Sequence, residues 1–213
     1  MKIKRILVSQ PEPTSVKSPY HEFAERNNVK VDFRSFTEVE GVSAKEYRQT
    51  RVSILDHTAV IFTGRTAIDH FFRICADLRI VVPETMKYFC MSEATAFYLQ
   101  KYIVYRKRKI FYSDGPFSDL LEIMKKHLDE TYLLPLSHVH NQDIPQLLDE
   151  AKVKYSKAIL YRTVSSDLSD LKNVNYDILV FYSPSGIKSL LQNFPDFQQN
   201  DIKIASFGAS TAE

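Results

Sequence analysis

Short apolar runs alternate with amphipathic stretches along the whole chain. Residues 3–9 (IKRILVS) form a compact apolar run ending at a polar turn, the pattern of a buried strand. Residues 29–36 (VKVDFRSF) alternate at period two, which predicts a half-buried strand. Ser18-Pro19 reads as a helix N-cap followed by proline at the first helical position. Apolar spacings of three and four predict helices over 43–56, 66–76, 93–102, 117–127, 144–151 and 184–192. Strands are predicted at 58–62, 87–91, 109–112, 131–136, 157–161, 176–182 and 203–207, and a helix begins near Ser210. Strand and helix alternating throughout predict parallel sheets covered by helices. About nine strands are too many for one small sheet at this length, so two α/β domains are expected.

One pattern occurs twice. Residues 59–72 (AVIFTGRTAIDHFF) and 179–191 (LVFYSPSGIKSLL) each run apolar strand, small turn, apolar helix. Residues 88–99 (YFCMSEATAFYL) follow the first copy and 203–213 (KIASFGASTAE) follow the second, each with Thr-Ala after the turn. Thr63 to Thr95 spans 32 positions and Ser183 to Thr211 spans 28. Any parallel α/β protein repeats strand, turn and helix, but two motifs in the same order at similar spacing predict two related domains. The second copy stops where its helix would begin, so a further C-terminal stretch is expected.

Composition narrows the class. The 213 residues are 44% hydrophobic, ordinary for a chain that buries a core, and the net charge of +2 gives no argument for nucleic acid. No apolar run approaches the ~18 residues of a membrane helix. The basic start MKIKR leads into a short apolar run ending in Pro and Glu, so it reads as a first strand, not a signal peptide. Cys75 and Cys90 lack metal-ligand spacing, and with no export signal they are expected as reduced thiols in the cytoplasm.

In open parallel sheets, ligands sit beyond the carboxyl ends of the strands, where all four repeated turns fall. The turns offer helix N-terminal N–H groups with small hydroxyls beside them: Thr63 with Gly64 and Thr66, Ser92 with Thr95, Ser183 with Ser185, and Ser210 with Thr211. Such ends attract carboxylate or phosphate. The alternative is that each Ser or Thr caps its own helix. Arg65 at the first turn is suited to a carboxylate, with a solvated helix-start arginine as its alternative.

The segments VIFTGRTAI, LVFYSPSGI, MSEATAFYL, SFGASTAE and AILYRTV together resemble the uroporphyrinogen-III synthase family over nearly the whole chain. The resemblance implies two similar flavodoxin-like domains with a discontinuous first domain, residues 1–36 plus 167–213, and a second, 37–166. It implies crossings near 37–41 and 163–167 and a ligand cleft between the domains. It further implies cyclisation of hydroxymethylbilane to uroporphyrinogen III with inversion of the last pyrrole ring, without metal or organic cofactor. Tyr161 matches the family's tyrosine at the end of the strand before the return crossing, and its phenol is implied to hydrogen-bond the departing hydroxyl. A monomer in the cytoplasm is expected, with room for transient handover from hydroxymethylbilane synthase and no role for nucleic acid or membrane. The rival class is a non-catalytic two-domain binder of polyanions, or a regulator that kept the fold.

Two departures bear on the residue-level transfer. Many relatives carry Arg where this chain has Gln10, and an Arg-containing turn where it reads LPLSHVHNQD. In that turn His138, His140 and Asp143 have the residue types of a metal site but lack an evident fourth ligand, so a polar turn is the reading. The basic and aromatic run over 101–109 has the make-up of a single-strand nucleic-acid stripe, but nearby acids and low net charge favour a solvated edge.

Overall fold

A computed structural model describes residues 3–15, 18–172 and 174–212. The chain divides into two compact units, Met1–Val39 with Thr163–Glu213, and Glu40–Arg162.

The first unit holds strands β1 (Arg5–Val8), β2 (Lys30–Phe33), β9 (Ile178–Phe181) and β10 (Lys203–Ser206) in the order β10-β9-β1-β2, all neighbours parallel. Helix α1 (Pro19–Asn27) starts as the sequence predicts: the Ser18 side chain accepts from the Tyr20 N–H, and Pro19 lies in the first turn. Asn28 ends it in the left-handed region at φ 50°. Leu7, Leu179, Phe181 and Leu190 of α7 (Pro184–Asn193) pack on one sheet face. Ile6, Val8 and Val180 pack on the other, with Tyr20 against them.

The second unit is built on six strands in the order β3-β8-β7-β4-β5-β6. They are β3 (Thr37–Gly41), β4 (Ala59–Phe62), β5 (Lys87–Cys90), β6 (Ile110–Tyr112), β7 (Tyr132–Ser137) and β8 (Tyr155–Ser165), of which β3 and β8 run on into the first unit's residues. The N–H of Val42 donates to the Leu160 carbonyl and that of Ser166 to Phe36, so β3 runs antiparallel to β8. The other five strands pair in parallel. Helix α3 (Arg65–Asp77) buries Ala67, Ile68, Phe71, Ile74 and Cys75 against Val60, Phe62, Leu133 and Leu160. Helices α5 (Phe117–Met124) and α6 (Asp143–Glu150) cover the opposite face, where Ile61, Phe89 and Leu134 point. Both cysteines are free and buried, and burial pushes each thiol up to about 12, so neither serves as a nucleophile near neutrality.

Several element lengths differ from the sequence reading, most of them by trimmed ends. The helix expected over 43–56 is α2 (Ala44–Gln49), opened by a Ser43/Glu46 capping box and stopped where Arg51 turns left-handed at φ 58°. The helix expected over 93–102 is α4 (Glu93–Tyr98), which tightens into a 3-10 turn over Leu99–Lys101. The strand expected over 157–161 is the eleven-residue β8, because its far end finds a partner in β3. Layering follows expectation, but the five parallel strands of the second unit, counted along the chain, lie in the order 3-2-1-4-5. A flavodoxin-type sheet runs 2-1-3-4-5. The difference arises because β5 and β6 are added successively on one side of β4 before the chain crosses to β7 on the other.

The order reverses between β4 and β7, and there the hydrogen-bond ladder is short. The two strands pair only at Ala59–Tyr132 and Val60–Leu133. The Tyr132 N–H points to β8, where it donates to Lys154, so by alternation the backbone of Pro135 faces β4. Proline has no N–H to donate, so the ladder stops short of it. Replacing Pro135 with Val restores the donor opposite the Ile61 carbonyl. The expected outcome is slow hydrogen exchange at amide 135 with stability unchanged or raised by about 1 kcal/mol. Fast exchange there means that something other than the missing donor ends the ladder.

Candidate active site

Beyond the carboxyl end of β4, Thr63 and Gly64 turn the chain into α3. Gly64 is the N-cap in an extended conformation and carries no side-chain oxygen, so the first N–H groups of α3 are uncapped. Arg65 follows, exposed, with its guanidinium carbon 5.3 Å from the centre of the Tyr98 ring. Among the described residues Arg65 has no carboxylate within ion-pair distance. Tyr98 is itself fixed, since its hydroxyl donates to Asp69 at 3.0 Å. Asp69 also accepts from Lys101 at 3.0 Å and from the Tyr102 hydroxyl. Burial alone would raise the Asp69 carboxyl, but the bonds from Tyr102, Lys101 and Tyr98 outweigh it and hold it below the ordinary range. Tyr98, held by Asp69, therefore gives the Arg65 guanidinium a fixed ring to rest on.

The next turn is closed within the protein. Ser92 accepts from the Thr95 N–H at 3.2 Å, and the two hydroxyls lie 3.0 Å apart. The Glu93 N–H donates to the Asp114 carboxylate at 2.9 Å, so an anion of the chain already sits at the start of α4. Thr95 is buried. Here the capping alternative describes what the hydroxyls do.

The repeated turns of the first unit differ from each other. Ser183 caps α7 with a long contact to the Gly186 N–H, 3.4 Å, and Ser185 is exposed. Gly186 sits against the start of the β1–α1 loop: a Cβ there would lie 3.5 Å from Ser9 Oγ and 3.3 Å from the Phe181 ring. Gly208 takes φ 90°, which favours glycine, before the four-residue α8 (Ala209–Ala212). Thr211 is buried in α8, and the Ser210 side chain lies outside the described residues.

Tyr161 owes its direction to an irregularity in β8. Leu136 pairs with Ile159 but Ser137 pairs with Tyr161, so Leu160 is an extra residue. In a regular strand Leu160 and Tyr161 would face opposite ways. The bulge brings both to the face covered by α3, where Ala158 and Leu160 are core and Tyr161 packs at the edge. The Tyr161 ring stacks on His70 of α3 at 5.1 Å between centroids and 20° between planes. Among the described residues nothing hydrogen-bonds its phenol, and burial raises its pKa, so it stays protonated and able to donate. Sequence reasoning singled out Tyr161 but not the bulge or the His70 ring beside it. The spacing of His70 and Arg73 on α3 was the one available signal.

His140 Nδ1 lies 2.8 Å from the Ser137 carbonyl, which only accepts, so Nδ1 carries the proton. Asp143 bonds Asn141, so His138, His140 and Asp143 form no ligand cluster. Among the described residues His127, Asp129 and Glu130 lie close enough to share an ion, but Lys87 already engages Glu130. In the basic run Asp69 engages Lys101 and Glu84 engages Arg106.

The model of the family described as uroporphyrinogen-III synthase HemD matches residues 18–213. The chain belongs to this family. Two solved structures are similar to this HemD-family chain in fold. One is a uroporphyrinogen-III synthetase from Helicobacter pylori, 16% identical, with 99% of this chain and 86% of that one covered and a TM-score of 0.61. The other is a mutant uroporphyrinogen III synthase from the extremely thermophilic bacterium Thermus thermophilus, 14% identical, with 98% and 86% covered and a TM-score of 0.55. No curated protein sequence matches the HemD-family chain significantly.

The Asp69 support has a measurable signature. A carboxyl held below its unfolded pKa stabilises the fold fully above that value, and the stabilisation is lost as pH falls through the folded pKa. The stability gap between wild type and Asp69→Asn should therefore be full at pH 7 and shrink as pH drops below about 3.8. Urea unfolding across an acid series tests this; a constant gap means that the ionised form is not the stabilised one.

Proposed function

We propose that the protein cyclises hydroxymethylbilane to uroporphyrinogen III, with loss of water and inversion of ring D, in heme biosynthesis. Family membership over residues 18–213 supports the activity, and the observation that carries it to the atomic level is Tyr161, turned by the bulge against His70 and with no hydrogen-bond partner for its phenol among the described residues. Loss of the terminal hydroxyl as water leaves an electrophilic azafulvene. The substituted carbon of ring D attacks it to give a spiro intermediate, which opens and recloses in the inverted sense. Tyr161 donates a hydrogen bond to the departing hydroxyl, an interaction made chiefly in the transition state. The rest of the task is to hold a flexible, eight-carboxylate chain in a folded pose. Arg65 and the uncapped start of α3 engage carboxylates of that chain. Ser183 and Ser185 offer carboxylate contacts at the start of α7, while Ser92 and Thr95 serve mainly to shape their own turn.

On this reading the two units are related halves of flavodoxin-like layering, joined through β3 and β8. Strand order supports the relation: β10-β9-β1-β2 matches β5-β4-β7-β8 when the repeated motifs are aligned. The reading takes a monomer as the working form and assigns it to the cytoplasm, with substrate handed over by hydroxymethylbilane synthase. Among the described residues no helix is long and apolar enough to cross a membrane. A binder or regulator without activity is the rival, and no observation favours it.

The deciding assay supplies hydroxymethylbilane and resolves the product isomers. Uroporphyrinogen I alone, at the spontaneous rate, overturns the proposal. Tyr161→Phe should lower turnover and leave product affinity nearly intact. Arg65→Ala should instead raise KM by about tenfold to a hundredfold, the loss of one charged hydrogen bond of ~1.5–3 kcal/mol. Unchanged turnover in the first variant removes Tyr161 from the mechanism, and unchanged KM in the second removes Arg65 from binding.

A further inference from the structure

We infer that His70 is a positioning residue for Tyr161, stacking on its ring while Arg73 holds both His70 and the bulged backbone of β8. The inference rests on the catalytic reading of Tyr161. His70, Arg73 and Asp77 lie on one side of α3 at helical spacing. The Arg73 guanidinium reaches four acceptors. Nη1 donates to Asp77 at 2.7 Å, Nη2 to the carbonyls of Val42 at 2.8 Å and Leu160 at 3.3 Å, and Nε to His70 Nδ1 at 3.2 Å.

Arginine only donates, so His70 Nδ1 must accept, and the proton of the neutral imidazole sits on Nε2. Protonating Nδ1 would break this bond and set an imidazolium against a guanidinium. Burial first, and then Arg73, lower the His70 pKa against an opposing pull from Asp69. The ring is thereby held neutral and in one orientation. Leu160, whose carbonyl Arg73 holds, is the extra residue of the bulge. One guanidinium thus fixes the backbone that turns Tyr161 and the ring that Tyr161 rests on. Gly41 makes room for it, since a Cβ there would fall 2.6 Å from the guanidinium carbon.

The test compares His70→Ala with His70→Phe, each alone and combined with Tyr161→Phe, reading kcat, KM and the isomer ratio of the product. Unfolding midpoints serve as the folding control. His70→Ala removes the stack and should lower kcat by about three- to tenfold, with KM changed by less than about twofold. His70→Phe keeps a flat ring and should restore most of kcat. In the Tyr161→Phe background, His70→Ala should cause no further loss, because the positioned group is gone. Normal kcat in His70→Ala, or equal loss in both His70 variants, overturns the positioning role. Undiminished turnover in Tyr161→Phe alone overturns the reading beneath it, and that single variant tells the two failures apart.

Discussion

The Arg73 guanidinium is the contact on which the candidate active site depends. Strands β3 and β8 meet antiparallel at the edge of an otherwise parallel sheet, where the Val42 carbonyl takes its bond from Arg73 and the Leu160 carbonyl, already paired with the Val42 N–H, accepts a second. A half-buried carbonyl left unpaired costs about 1–3 kcal/mol, and a hydrogen bond from a charged donor contributes ~1.5–3 kcal/mol. Arg73 supplies both bonds from a helix whose other face is locked into the core by Phe71 and Ile74. The rigidity of α3 is thereby passed to β8 at the residue before Tyr161. Lysine, with one compact ammonium, cannot reach the same four acceptors in a single geometry.

Two backbone irregularities shape the strand ends. Pro135 stops the β4–β7 ladder, and the extra residue Leu160 rotates Tyr161 onto the face of α3. Pro135 lies toward the carboxyl end of β7, and Leu160 lies where the parallel pairing of β8 with β7 ends, on the side where open parallel sheets take ligands. Each gives up regular pairing, and the second turn of α3 carries the ring against which Tyr161 rests. Of the repeated turns in this unit, the one with glycine at the cap remains open to an anion, whereas the one with serine is closed by its own hydroxyls and by Asp114.

Much of this architecture is legible in the sequence. Apolar runs mark the strands, and Ser18-Pro19 and Ser43 with Glu46 mark helix starts by chemistry local to a few residues. Helix ends are less legible, because left-handed Arg51 has no residue-type signal of the kind that glycine gives. The bulge is invisible in AILY, since an extra residue is defined only against the partner strand. The same holds for hydroxyls. Thr63, Ser92 and Thr95 look equivalent as residue types, and only three-dimensional neighbours reveal that Ser92 and Thr95 are engaged with each other. His70 reads as one more polar position on an amphipathic helix until β8 is brought beside it.

A mechanism based on positioning sets different demands from one based on a strong acid or nucleophile. The cysteine thiols are pushed far above neutrality by burial, and the raised Tyr161 phenol is a weaker acid than a free one. On the proposed mechanism, Tyr161 therefore contributes a hydrogen bond in a fixed direction more than a mobile proton. The value of such a bond falls steeply with misalignment, because hydrogen bonds weaken quickly away from linear geometry. That is the reason to hold Tyr161 from two sides, by Arg73 through the backbone and by His70 through the ring. A looser tyrosine would still bind the substrate's hydroxyl in the ground state, but it would lose the discrimination between ground and transition states from which rate enhancement arises.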